Sequence, residues 1–153
     1  MNDAPGERGD TALNLVSAKA FLKSAITLVG AVEHLPDRDY STPSIYLLLS
    51  NALEAALKAV AQAHGADERA LSEIGDDLGK AWEAVQATSF VAPAGTRPLV
   101  RALQEARRGN WLRYVPAPCE IVPLPDLAMS ASTLQRIIDA VDHHFGLLGL
   151  DGS

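Results

Sequence analysis

The stretch YLLLSNALEAALKA, residues 46–59, limits what this chain can fold into more than any other part of it. Nearly every position is apolar or small. The polar stripe is Ser50, Asn51, Glu54, Lys58 and, just beyond, Gln62, at spacings of three and four. Residues three and four apart share one side of an α-helix. The segment therefore reads as a helix that is apolar almost all round, with one narrow polar edge. Such a helix has to be covered by other helices. Glu54 ahead of Lys58 is the favourable i, i+4 order and stabilises by roughly 0.2–0.5 kcal/mol on an exposed face.

The rest of the chain supplies helices to cover it. A helical pattern runs from about Thr11 to Leu35, with Phe21, Leu22, Ala25, Leu28, Val29 and Val32 at helical spacing. Gly30 within it costs about 1 kcal/mol relative to Ala, which predicts a close neighbour there. The central helix is expected from Pro43 to His64, capped by Thr42 and followed by Gly65. A short helix from Asp67 to Ile74 ends at Gly75, and Asp76 or Asp77 caps the next, to about Ala87. Thr96 caps a further helix that Gly109 ends. Residues 111–126 hold four prolines (116, 118, 123 and 125), which suits an extended segment and excludes a central strand. The last helix is expected from Ser132 to Leu148, with Ser132 and Gln135 at capping-box spacing.

With almost no strand signal, these elements predict an all-α bundle of four to five main helices, with the Pro-rich extended segment before the last. Residues 1–10 read as a disordered tail and 11–150 as one domain. A chain of 153 residues can bury a substantial core, roughly 68–70% of its unfolded surface. Its 48% hydrophobic and 21% charged content is that of a globular protein. The single cysteine, Cys119, excludes an internal disulfide and reads as a free thiol. The opening MNDAPGERGD lacks the basic and apolar regions of a secretory signal. Glu54 and Lys58 interrupt the longest apolar run, so neither a membrane span nor a membrane partner is expected, and the expected location is cytoplasmic.

Net charge is −6, which argues against a protein that coats nucleic acid. The charge is unevenly spread. From Arg97 to Tyr114 there are five arginines (97, 101, 107, 108 and 113) against Glu105, and from His64 to Ser89 six acids against Arg69 and Lys80. Arg97, Arg101 and Arg108 fall near one helix face, and Trp111, Arg113 and Tyr114 follow. Guanidinium groups beside aromatic rings hold phosphates and stack bases, which makes this an anion- or RNA-binding candidate. The same residues also fit a plainer arrangement, with Trp111 and Tyr114 as core anchors and the arginines facing the acidic segment. His143 and His144 are adjacent, so their side chains diverge on a helix; no metal site and no cofactor is expected.

The segment from Tyr46 to Ala59 resembles the second helix of HEPN-like proteins, in which an apolar helix carries a Glu-x-x-x-Lys-Ala signature. Two further steps add to the likeness. Gly75-Asp76-Asp77-Leu78 is similar to the family's Gly-His-Asp-Leu, with Asp76 where the histidine stands. Arg113-Tyr114-Val115-Pro116 is similar to its Arg-Tyr-Pro step. The likeness covers about residues 44–148 and implies a bundle of four or five helices, often a homodimer. It makes Glu54 and Lys58 part of a structural polar cluster, with Asp77, Arg113 and Tyr114 as expected partners. Some branches of the family are metal-independent ribonucleases, including toxins of toxin–antitoxin pairs. Others are noncatalytic modules that bind RNA or protein.

Catalytic branches carry an arginine, then four to six intervening residues, then a histidine on the last helix. There the histidine moves a proton and the arginine stabilises phosphate charge. The corresponding candidates here are Arg136 and His143, with Ile137 where the family has a polar residue. Leu134, Ile137, Ile138, Val141, Phe145 and Leu148 form the apolar stripe of this helix, and the pair lies roughly opposite it. The expectation is a noncatalytic HEPN-like protein that binds RNA or a protein partner such as an antitoxin. Its alternatives are an endoribonuclease using Arg136 and His143, and a helical scaffold unrelated to RNA.

Overall fold

The computed structural model describes residues 5–32, 42–108 and 126–149. Among the described residues six helices follow one another: α1 (Pro5–Val32), α2 (Thr42–Ala63), α3 (Glu68–Ile74), α4 (Leu78–Gln86), α5 (Thr96–Arg108) and α6 (Leu127–Leu147). Among the described residues there is no strand, and the fold is an all-α bundle. The count exceeds the expected four to five main helices by including the seven-residue α3. The Pro-rich segment lies outside the described residues.

Helix α2 is the centre, as its composition demands. It packs against α1, α4, α5 and α6. Ile45, Leu49, Ala52, Leu53, Ala56, Leu57, Ala59 and Val60 are all fully buried. The alanines let neighbouring helices approach while the leucines fill the gaps between them, as close packing requires. By length and composition alone, Ser44–Ala63 is apolar enough to cross a bilayer, with a mean hydropathy of 1.3. This corrects the expectation that Glu54 and Lys58 interrupt the run: two charges lower its mean hydropathy without breaking it. Two-thirds of that window, 67%, is buried inside the fold.

Helix α1 buries Leu15, Ala18, Leu22 and Ala25, a stripe that starts earlier than the expected one; Phe21, Leu28 and Val29 are only partly buried. The helix itself begins at Pro5, within the segment read as a tail. Proline suits a first helical turn, where its missing N–H is not needed. Gly30 is exposed, and a Cβ there would meet nothing within 4 Å, so the expected close neighbour is absent from the described residues.

Helix α6 starts five residues before the expected Ser132. Asp126 caps it, its carboxylate accepting from Met129 N–H at 2.8 Å. The Ser132–Gln135 capping box is therefore unused, and Gln135 donates instead to Asp139 at 2.9 Å. No breaker separates Asp126 from Ser132, so the earlier cap wins. The expected stripe of Leu134, Ile137, Ile138, Val141 and Phe145 is buried, while Leu148 is 40% exposed.

The α3–α4 joint turns at Gly75, with φ +57° and ψ −129°. Side chains with a Cβ rarely adopt that backbone geometry, and the sharp turn it permits sets α4 against α2 and α5. Asp77 then caps α4, accepting from Lys80 N–H at 3.0 Å. Gln104 of α5 completes the cap: it donates to Asp77 at 3.1 Å and accepts from Leu78 N–H at 2.9 Å.

Candidate functional site

The polar edge of α2 faces a partner that lies elsewhere in the sequence from the ones expected. Arg107, in the last turn of α5, inserts its guanidinium between α2 and the α3–α4 joint. Its Nη1 donates to Glu54 Oε1 at 2.9 Å and to the Asp76 carbonyl, its Nη2 to Asn51 Oδ1 at 3.2 Å, and its Nε to Ser50 Oγ. Arginine has five N–H donors, and these four bonds use four of them. Lys58 Nζ lies 3.7 Å from the other Glu54 oxygen. The side chains of Arg107 and Glu54 are 14% and 22% exposed, so the cluster is largely shielded from water.

Glu54 and Lys58 therefore belong to one structural polar cluster with Arg107 at its hub. Of the expected partners, Asp77 caps α4 instead of meeting Glu54, and Arg113 and Tyr114 lie outside the described residues. The guanidinium is thus taken up by acceptors of the fold and serves structure. The signal that points to it is its register. At about 100° per residue, Arg107 falls among Thr96, Val100 and Leu103, on the buried stripe of α5. An arginine there has to be paired inside the protein.

The other arginines of α5 fall on a different side. Arg97, Arg101 and Arg108 are exposed and line one groove between α4 and α5, of about 540 Å³, together with Trp82, Gln104 and Val100. The ion pairs among the described residues are Lys19–Asp142, Lys58–Glu54, Arg69–Glu73 and Arg107–Glu54, and none uses these three arginines. Glu83 and Glu105 also line the groove. Its aromatic residue is Trp82, from outside the basic stretch of the sequence; Trp111 and Arg113 lie outside the described residues. The Trp82 indole Nε1 is buried and has no hydrogen-bond acceptor among the described residues.

Arg136 and His143 are both exposed on α6. They lie seven positions apart, roughly 10 Å along the helix axis at about 1.5 Å per residue. Arg136 donates to Thr133 Oγ1 at 3.3 Å. His143 lies in a shallow depression with Asp139, Asp142, Gly146 and Leu147, which Arg136 does not line. Within one chain the two are on one exposed side of the helix.

A second histidine constellation has no local signature in the sequence. His64, just past the end of α2, and His144, in the last turn of α6, bring their Nε2 atoms to 2.8 Å. The rings lie end to end, centroids 5.1 Å apart and planes inclined by 28°, and Phe90 meets His144 edge-on at 5.3 Å. Because His64 and His144 come from different helices, the divergence of His143 and His144 does not exclude this pairing.

Burial holds the pKa of His144 below the ordinary histidine value, and His64 and His143 lower it further. Lowering in the folded state means that the unfolded chain binds the proton more readily. This contribution to stability is fully present above the unfolded pKa of about 6.5 and is lost as pH falls through the lower folded value. Thermal melts at pH 7.5 and pH 5 should show a larger loss for wild type than for His144→Gln; equal losses would sink the assignment.

No protein-family model, curated protein sequence or solved structure matches this chain.

Proposed function

We propose that the chain is a noncatalytic HEPN-like helical module that binds single-stranded RNA along the α4–α5 groove, acting in the cytoplasm as a homodimer. The groove carries the binding reading: three guanidinium groups without an ion-pair partner among the described residues line it, with Trp82 in its wall. Arginine fits phosphate oxygens in a fork geometry, and a tryptophan wall offers a base a surface for stacking. Glu83 and Glu105 limit the net charge of the groove, which suits a short strand held at a few phosphates more than a continuous coat. Support for the family reading is the arrangement of α2, with Glu54-x-x-x-Lys58-Ala59 at the centre of the bundle, followed by a short helix, the Gly75 turn and an Asp77-capped helix. The dimer rests on the resemblance, and light scattering tests it.

Fluorescence anisotropy with a labelled single-stranded RNA oligonucleotide tests the groove. Binding should weaken with salt, and neutralising Arg97, Arg101 and Arg108 to Gln should lower the affinity at least tenfold. The salt slope should also fall by about 0.7 for each phosphate that is no longer neutralised. Arg136→Gln should leave both unchanged. Unaltered binding in the triple variant, or none by wild type, would refute the groove reading. The same assay run with EDTA should show no cleavage. RNA cleavage that disappears in both Arg136→Ala and His143→Ala would overturn the noncatalytic part and favour the toxin-type ribonuclease.

A further inference from the structure

Granted the groove reading above, we infer that Glu105 makes the α4–α5 groove select guanine at one position of the bound RNA strand. Arg97, Arg101, Glu105 and Arg108 of α5 all line the groove, and all are exposed. At about 100° per residue they fall within an arc of about 80°, so they form one row along the helix. Arg97 to Arg101 and Arg101 to Glu105 are each about 6 Å along the axis, and Glu105 to Arg108 about 4.5 Å. Glu105 thus stands within a turn or so of an arginine on either side. No ion pair among the described residues joins it to either one. Its carboxylate faces the groove on the same terms as the guanidinium groups.

A strand laid along this row meets two cations, one anion and a third cation. The arginines take phosphates, whose oxygens accept their forked donors. A phosphate is repelled at Glu105 by the like charge. Gln104, beside it, donates to Asp77 at 3.1 Å, which holds a second carboxylate at this end of the groove. The strand therefore has to turn a base edge toward Glu105. An ionised carboxylate only accepts hydrogen bonds, through two oxygens, so two neighbouring N–H donors match it. Single-stranded RNA offers its Watson–Crick edges for such contacts. Guanine presents N1–H and N2–H side by side and satisfies both oxygens. Adenine and cytosine each set a ring-nitrogen acceptor beside their amino group, which the second oxygen repels. Uracil sets its single N3–H between two carbonyl oxygens. Gly79, on the α4 wall of the groove, adds no side chain and leaves room for a purine. Glu83, the other acid of the groove, lies on α4, where Lys80 is the sole cation and does not line the groove. No row of cations flanks it to seat phosphates on either side.

Fluorescence anisotropy on the full chain tests this with labelled uridine octamers that differ only at one central position. Guanine there should bind at least about fivefold tighter than uridine, adenine, cytosine or inosine, the low end of what a bidentate base contact discriminates. Inosine is the sharpest comparison, since it keeps N1–H and lacks only the N2 amino group. Glu105→Gln should erase the preference and, by removing a repelling charge, bind the all-uridine octamer more tightly than wild type does. A residue that only supports the fold would instead weaken every octamer alike. Glu83→Gln should keep the guanine preference. The comparison of guanine with inosine uses wild type alone, so it decides the matter even if a variant folds poorly. Equal binding of those two, a preference that survives Glu105→Gln, or one that Glu83→Gln abolishes would each overturn the assignment and leave the groove reading standing. No binding of any octamer would overturn both.

Discussion

Replacing Arg107 with alanine is expected to cost about 3 kcal/mol of stability, because the change leaves Glu54 charged and largely shielded without its principal partner. The same substitution removes the donors to Ser50, Asn51 and the Asp76 carbonyl. For a chain of this size, the loss corresponds to a melting temperature lower by roughly 6–12 °C. Urea unfolding gives the number directly. Arg107→Lys should recover only part of it. An ammonium cannot reproduce the fork that reaches Ser50 and Asn51 while holding Glu54. Lys58→Ala supplies the contrast. Lys58 meets Glu54 at the longer distance of 3.7 Å, and its loss should cost under about 1 kcal/mol. The hub assignment fails if Arg107→Ala is no more destabilising than Lys58→Ala. A further variant separates net pairing from stranding of a charge. Arg107→Met with Glu54→Leu removes both charges at once and should be much milder than Arg107→Ala alone.

Leu53→Ala should cost about 2.7–5.0 kcal/mol, the range for removing a leucine side chain from a close-packed interior. Leu53 is fully buried on α2, one residue from Glu54, where the central helix is covered by its neighbours. The cavity cannot collapse easily, since rigid helices flank α2 on several sides. Leu147→Ala is the matched control. That leucine is 72% exposed near the end of α6, and its truncation should change stability by less than about 0.5 kcal/mol. Comparable losses at the two positions, measured by urea unfolding, would contradict the placement of α2 at the centre.

Much of the fold is legible in the sequence because helix periodicity and punctuation agree. The apolar 46–59 stretch demands a buried central helix, and α2 occupies that place. Gly75 and Asp77 mark the α3–α4 joint and the cap beyond it. The start of α6 departs from expectation because Ser132–Gln135 has the right capping spacing, but nothing forces a helix to begin there when Asp126 already offers a cap. Gly30 departs for a different reason. The intrinsic cost of a glycine invites a packing explanation, and an exposed helix tolerates that cost without one.

The polar cluster is half legible. Its α2 edge follows from spacing, but the expected partners were Asp77, Arg113 and Tyr114, not Arg107. Composition alone groups Arg107 with the basic stretch, although its position around α5 separates it from Arg97, Arg101 and Arg108. The groove comes from the complementary side of the same helix. The histidine pair is invisible for a plainer reason: His64 and His144 are 80 positions apart, and no local pattern joins them.

The central helix also matters to the chain before it is folded. A nascent chain delivers α1 ahead of α2, so the first covering partner is already present when the apolar Ser44–Ala63 segment emerges. The α6 side must wait longest, because its covering helix is made after the other five. In the interval, a segment apolar enough to pass as a membrane span has one side covered and the other bare. The order of helices along the chain thus shortens the exposure of its most adhesive segment, and α6 completes its concealment.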